Sequence, residues 1–139
     1  MIVKDIIYIE AQPDEVWAVT EDVERWPEWT PTITSAIRLD DGPFRIGSTV
    51  KIKQPLQPVS EWIVTEFVPE ERFAWETKRR GLQMRASHEV NMDGPGTMNT
   101  LRVEASGVIA TLLSPILRTL IRRALLEENR GLKALCEKK

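Results

Sequence analysis

The chain has 139 residues, of which 42% are hydrophobic and 29% charged, and its formal net charge is −2. This length predicts one globular domain, spanning residues 1–139, with one hydrophobic core. The weak net charge gives no support to a nucleic-acid partner.

The N-terminal sequence and the cysteine content bear on the compartment. Lys4 and Asp5 interrupt the apolar core that a signal peptide needs, and the single Cys136 cannot form an internal disulfide. The longest uncharged apolar run, residues 107–117, is about half as long as a bilayer span. We therefore expect a cytoplasmic protein with no integral membrane segment.

The N-terminal part of the chain predicts one strand followed by two short helices. Residues 2–10 are rich in Ile, Val and Tyr, which favours a strand. Pro13 followed by two acidic residues is typical of a helix start. Residues 22–31 contain two Trp and two Pro. Because each Pro disfavours helical geometry in the residue before it, we expect a broken helix there.

From residue 32 the apolar residues alternate with a period of two, which predicts six further strands. Short turn-forming segments separate them, so neighbouring strands should be antiparallel. The predicted strands span residues 32–40, 47–54, 58–68, 72–79, 82–92 and 97–107.

The alternation also predicts which side chains face the core. In strand 82–92, Met84 and His88 belong to the inward face. Five further side chains are predicted to point inward by the same reasoning: Val50, Ile52, Trp75, Thr77 and Val103. In strand 58–68 either Trp62 and Val64 or Ile63 and Phe67 could face inward, and we favour Trp62 and Val64.

The segment from Val108 onward has the periodicity of an amphipathic helix. Its apolar stripe comprises Ile109, Leu112, Leu113, Ile116, Leu117, Leu120, Ile121, Ala124, Leu125, Leu132 and Leu135. The other side carries Arg118, Arg122, Arg123, Glu127 and Arg130, and a solvated face is the simplest interpretation, with docking of an acidic partner as the alternative. Because the stripe needs a cover, we expect the sheet to wrap around this helix and to leave a small-molecule pocket between them.

Two stretches of local sequence carry a family resemblance. The segment IEAQPDEVWAVTEDVERWPEWTPTI combines a strand, a Pro-initiated helix and a Trp-Pro-x-Trp turn, and SHEVNMDGPGTMNTLRVEASG contains His88 and the Gly96-Thr97 turn. Both are similar to the START-like helix-grip superfamily (SRPBCC), in its polyketide cyclase/dehydrase and lipid-transport branch.

This resemblance implies an α+β helix-grip fold. In that fold a seven-stranded curved antiparallel sheet wraps around a long C-terminal helix, with two short helices between strands 1 and 2. Members range from aromatic cyclases to lipid carriers, hormone receptors and chaperone co-factors, so the resemblance predicts the fold better than the ligand.

The residue content gives no sign of metal or cofactor chemistry. One His and one Cys far apart provide no metal-ligand cluster, and the chain has no glycine-rich phosphate loop. We therefore expect neither a metal nor a cofactor.

His88 is the inward polar residue that invites a functional interpretation. It could be a core histidine paired with a backbone carbonyl or with Glu104 or Thr77, or a catalytic base. We favour a third reading, in which His88 orients the polar end of a ligand, because the resemblance places this position at the cavity.

The sequence thus predicts a protein that carries or sequesters a small hydrophobic ligand, such as a lipid or polyketide. The predicted ligand-binding residues are Val50, Ile52, Trp62, Trp75, Thr77, Met84, His88, Val103, Leu112 and Ile116. The alternative is a polyketide cyclase/dehydratase-type enzyme with His88 as general base and Trp75 or Arg79 orienting the substrate. A protein-interaction module would need an exposed apolar patch.

Overall fold

Seven strands form one antiparallel sheet in the computed structural model, which describes residues 1–138. The strands are β1 (Ile2–Ile9), β2 (Ser35–Arg38), β3 (Thr49–Lys53), β4 (Ser60–Val68), β5 (Arg72–Arg79), β6 (Leu82–Asp93) and β7 (Gly96–Ser106). Their order across the sheet is β1-β7-β6-β5-β4-β3-β2. The predicted seven-stranded antiparallel sheet is confirmed, with β2 shorter than expected.

Three α-helices and one 3₁₀ helix accompany the sheet. They are α1 (Pro13–Glu21), the 3₁₀ helix Val23–Glu28, α2 (Val108–Leu112) and α3 (Ser114–Cys136). Pro13 opens α1, and Pro27 lies inside the 3₁₀ helix, where the sequence predicted a broken helix. None of the helices within residues 1–138 is both long and apolar enough to cross a membrane.

The C-terminal helical segment is broken, although the sequence predicted one continuous helix. Leu113, with φ −104° and ψ 18°, separates α2 from α3. Pro115 explains the break, because its ring and missing N–H are tolerated only in the first turn of a helix. It occupies that position in α3.

The predicted apolar stripe is buried only in part. Ile121, Leu125 and Leu132 are buried, whereas Leu112, Leu113, Ile116, Leu120 and Leu135 are exposed. Leu125 follows Ile116 by nine residues, about two and a half helical turns, so the two side chains lie on opposite faces of α3. The segment has more apolar residues than the sheet covers, and periodicity alone did not separate the two groups.

The core consists of two hydrophobic clusters on the concave side of the sheet. The larger one contains Trp26, Phe73 and Trp75, and the smaller one joins Val103 to Leu125. Met84 and Ala86 pack against both. Trp62 and Val64 are buried and Ile63 is exposed, so the inward face chosen for β4 is correct as far as Val64. The pairing register shifts between Val64 and Glu66, and beyond the shift Phe67 packs against the larger cluster.

A close approach of the backbone fixes the 3₁₀ region against α3. A Cβ atom placed on Gly131 would lie 2.1 Å from the carbonyl oxygen of Trp29. The ring of Trp26, whose centroid is 5.6 Å from that of Trp29, donates a 3.1 Å hydrogen bond from Nε1 to the carbonyl oxygen of Thr20. Only glycine allows α3 to come this near, so Gly131 sets the position of the helix on the sheet.

Candidate functional site

The concave face of the sheet is incompletely covered at one end of β6. Leu82, Met84 and Ala86 are only partly buried, whereas His88 and Val90, further along the same face, are buried. Helix α2 sits beside this end, where the N–H of Ile109 donates a 2.8 Å hydrogen bond to the carbonyl oxygen of Gly81. The open end of β6 is therefore the place where a ligand could reach the concave face.

A small cavity of about 20 Å³ lies at this open end. Its lining residues are Gln54, Gln57, Ser60, Trp62, Thr77, Arg79, Leu82 and Met84. This volume holds about one water molecule, whereas a ligand pocket usually measures several hundred Å³. A lipid-sized ligand would therefore need the space at this end of β6 to widen.

One wall of the cavity carries hydrogen-bond donors. Arg79 donates from Nη2 to the carbonyl oxygen of Pro58 at 2.9 Å and also to the hydroxyl of Ser60. Trp62 Nε1 is buried and has no acceptor among residues 1–138. An oxygen atom on a ligand would give this indole N–H the partner that a buried donor needs.

A larger groove of about 570 Å³ is open to solvent and is lined by residues of β4 and β5. It includes Glu61, Ile63, Glu76 and Lys78, whose side chains point away from the core. Because this groove is charged and open, it would remove little apolar ligand surface from water. We therefore place the candidate site on the concave side.

The ten residues predicted for ligand binding fall into three groups. Trp62, Thr77 and Met84 line the small cavity. The buried residues outside its lining are Val50, Ile52, Trp75, His88 and Val103. Leu112 and Ile116 are 73% and 63% exposed, so neither packs against the sheet.

His88 lies inside a box of aromatic rings. Its imidazole stacks on Phe73 with ring centroids 4.4 Å apart and an interplanar angle of 13°. Trp26 and Trp75 approach the ring at 5.1 and 5.7 Å. The aromatic box holds the imidazole in one orientation.

The polar neighbour of His88 differs from those proposed from sequence. Nε2 lies 3.7 Å from Oε1 of Glu128, and Nδ1 has no hydrogen-bond partner in the described part of the chain. Glu104 instead pairs with Arg102 on the other face of the sheet, and Thr77 is aligned with Met84 rather than with His88. The suggested pairing of His88 with Glu104 or Thr77 is therefore wrong, because the carboxylate nearest to the imidazole in this pair is that of Glu128 on α3.

The sequence did not predict a second buried polar group, formed by Asn99 and Asn129. Asn99 donates a 2.7 Å hydrogen bond from Nδ2 to Oδ1 of Asn129, whose own Nδ2 donates to Oδ2 of Asp5 at 2.7 Å. This chain of contacts ties β7, α3 and β1 together. Continuing the buried face of α3 four residues beyond Leu125 would have pointed to Asn129.

The site has no arrangement suited to a metal ion. No group of three or more His, Cys, Asp or Glu side chains within residues 1–138 is placed to hold one. Cys136, at the end of α3, is only partly exposed, and burial together with the carboxylates of Glu15 and Glu137 raises the pKa of its thiol to about 11. This thiol is poorly suited to act as a nucleophile at neutral pH.

Solved structures with the same architecture cover almost the whole chain. A hypothetical protein, jhp0584, from Helicobacter pylori is 15% identical, with a TM-score of 0.86 over 99% of this chain and 88% of its own. A START superfamily protein from Mycobacterium smegmatis is 13% identical, with a TM-score of 0.79 over 98% and 97%. The di-domain ARO/CYC StfQ from the steffimycin biosynthetic pathway is 12% identical, with a TM-score of 0.77 over 98% of this chain and 50% of its own.

The curved antiparallel sheet and the long C-terminal helix give the chain the helix-grip fold, which these START-like neighbours share. The model of one family, described as polyketide cyclase/dehydrase and lipid transport, matches residues 2–137. The chain therefore belongs to this family, which the sequence motifs had indicated. No match was found among curated proteins.

Proposed function

We propose that this protein binds a small hydrophobic ligand, such as a lipid or polyketide, between the open end of β6 and the C-terminal helical segment. The observation that carries this proposal is the partly covered apolar surface of Leu82, Met84 and Ala86 on the concave face. Burying an apolar ligand there contributes about 25 cal/mol per Å² removed from water, with no reactive group required.

The donors on the cavity wall support a ligand with one polar end. Trp62 and Arg79 both line the cavity. The Arg79 guanidinium donates to the Pro58 carbonyl oxygen, whereas Trp62 Nε1 has no acceptor among residues 1–138. A carbonyl or carboxylate oxygen would satisfy Trp62, while the apolar body of the ligand lies on Met84 and the displaced helix. If α2 swings outward about Leu113, little regular structure is lost, because α2 already ends there.

Saturable binding of a fatty acid or of the dye ANS to native protein tests this proposal. Met84→Trp should fill the cavity and abolish binding. Met92→Trp, at a 75% exposed position of the same strand, should leave binding intact. Absence of saturable binding by wild-type protein would contradict the proposal, and strong destabilisation by Met84→Trp would show that Met84 is close-packed instead.

The second candidate function is catalysis of the cyclase or dehydratase type. The observation in its favour is the buried pair of His88 and Glu128, since a carboxylate beside an imidazole can orient it as a general base. Against it, His88 does not line the cavity and is enclosed by aromatic rings.

His88→Gln separates the two functions. If His88 does not touch the ligand, as its position outside the cavity indicates, affinity should change by less than about 1 kcal/mol, the usual value of one hydrogen bond. If His88 is a general base, turnover of a β-keto substrate should fall by a factor on the order of 10² to 10⁴ with nearly unchanged binding. We expect the first result, and turnover by wild-type protein that the substitution abolishes would favour the enzyme.

A further inference from the structure

The N-terminal half of the C-terminal helical segment exposes an unusual amount of apolar surface. Six large side chains in this short segment are exposed: Val108, Ile109, Leu112, Leu113, Ile116 and Leu120. Ile116 and Leu120, 63% and 57% exposed, are one turn apart on the face of α3 that points away from the core. Six exposed large apolar side chains within 13 consecutive residues of a folded protein indicate a surface that contacts something else.

Basic residues accompany the patch, and acidic residues are missing from it. Residues 108–126 contain Arg118, Arg122 and Arg123 but no Asp or Glu, although the whole chain has a net charge of −2. Arg122 and Arg123 are exposed. Arg80, also exposed, lies in the β5–β6 turn, where neighbouring Gly81 is close to the side chains of Val108 and Ile109. We call these six apolar residues, together with Arg80, Arg122 and Arg123, the apolar–basic patch.

We propose that the apolar–basic patch docks this protein on the surface of an anionic lipid bilayer. A helix that lies in a membrane interface combines apolar side chains, which enter the headgroup and acyl boundary, with Arg or Lys beside them. Each basic residue near an anionic surface adds attraction, and together the two contributions give stable but reversible binding. The patch supplies both, from residues 108–123 and from Arg80 in the β5–β6 turn.

The charge pattern argues for a bilayer rather than for a second copy of the chain. A two-fold symmetric dimer would bring the patch against itself. Arg122 and Arg123 would then face a surface whose helical segment, residues 108–126, offers no carboxylate to pair with them. A purely electrostatic partner, such as an acidic polymer, would leave Ile116 and Leu120 without a role.

The test is sedimentation of full-length protein with two kinds of vesicle, phosphatidylcholine alone and phosphatidylcholine containing about one-third phosphatidylserine. We expect binding to the anionic vesicles, little binding to the neutral ones, and weaker binding at high salt. Two double variants should each weaken binding of the protein to anionic vesicles at least about 10-fold. One is Ile116→Ser/Leu120→Ser and the other is Arg122→Glu/Arg123→Glu.

The matched control is Arg130→Glu/Leu135→Ser, which changes exposed residues of the same types further along α3. It should bind as wild type does, and thermal unfolding should show that all variants are folded. No binding by wild-type protein, or equal loss in the control, would overturn the proposal. A dimer that Ile116→Ser/Leu120→Ser dissociates would assign the patch to a second copy. If only the arginine variant loses vesicle binding, the contact is purely electrostatic and the proposed insertion of apolar side chains is wrong.

This proposal does not depend on the ligand proposal, because the vesicles are offered to protein without added ligand. If the protein binds vesicles through the patch but takes up no fatty acid, the membrane-docking proposal stands and the ligand proposal fails.

Discussion

Nε2 of His88 lies 3.7 Å from Oε1 of Glu128, and only 6% and 12% of the two side chains are exposed. Because both side chains are almost enclosed by protein, removing one partner leaves the other polar group buried with less compensation. The pair also joins β6 to α3, two elements whose relative position defines the candidate site.

We expect Glu128→Leu to have opposite effects in two backgrounds. In wild-type protein it should lower the free energy of unfolding by about 1–3 kcal/mol, because His88 loses its polar neighbour. In His88→Leu protein the same change should be neutral or stabilising, because it removes a buried carboxylate that has no partner. Chemical denaturation of the four proteins measures the coupling. Glu127→Leu, at an exposed neighbouring position, should have little effect in either background.

Gly131→Ala should destabilise the protein even though alanine is the better helix former. Helix propensity alone predicts a gain of about 1 kcal/mol. The new Cβ would lie 2.1 Å from the Trp29 carbonyl oxygen, so α3 or the 3₁₀ region must shift, and we expect a net loss of about 1–3 kcal/mol. Ala134→Gly, at an exposed position of the same helix, measures propensity without the clash. If Gly131→Ala instead stabilises the protein, the backbone at Trp29 can move away from position 131 at little energetic cost.

Asp40 should contribute to stability at neutral pH and less in acid. Partial burial favours its protonated form, but hydrogen bonds from the Thr49 N–H, the Ser48 hydroxyl and Arg38 outweigh this, and the pKa of Asp40 lies below its ordinary value of 3.8. Since the folded-state pKa is the lower one, this stabilisation is present above about pH 4 and is lost as the pH falls through the folded-state value.

Asp40→Asn should therefore lower the free energy of unfolding at pH 7 by about 1 kcal/mol. The difference from wild type should shrink as the pH falls below about 4. Urea unfolding at a series of pH values measures this, with the exposed Asp41→Asn as the control. A difference that stays constant across the series would show that the effect is steric.

The thiol of Cys136 should react slowly in the folded protein. Burial, with smaller contributions from Glu15 and Glu137, raises its pKa from 9.0 to about 11, so the thiolate is about 100-fold scarcer at pH 8 than for an ordinary thiol. Alkylation by iodoacetamide should be slower by about that factor in native than in denatured protein. Because the chain has one cysteine, mass spectrometry reads the reaction directly. Ala134→Cys in a Cys136→Ser background places an exposed thiol on the same helix and should react at the ordinary rate.

The strands were predictable because their information is local. A period of two, with turn residues between the runs, located β5 at 72–79 and β6 within one residue of its end. Trp62 and Ile63 show where this information weakens, since both are apolar and alternation alone allowed either to face inward. Burial of Trp62 follows from its neighbours in the sheet and from the aromatic cluster above it.

The candidate site was predictable only in part because its contacts join distant parts of the chain. His88 and Glu128 are on different elements, and nothing in the sequence near His88 indicates a glutamate from α3. Leu112 and Ile116 are apolar but exposed, and hydrophobicity cannot distinguish a side chain that packs on the sheet from one that faces outward. That distinction depends on the break at Leu113 and on the position that Gly131 gives to α3.

The pairing of β1 with β7 also determines when the sheet can close during synthesis. Ile2 is aligned with Glu104 and Ile9 with Thr97, so the first strand leaves the ribosome long before its partner in the sheet is made. Helix α3 follows later still, and its Lys133 donates from Nζ to the carbonyl oxygen of Tyr8 at 2.8 Å. Until then β1 is an unpaired strand with one apolar face, the kind of segment that chaperones protect. The non-local pairing should make folding slow and late, completed only after the last strand and helix have emerged.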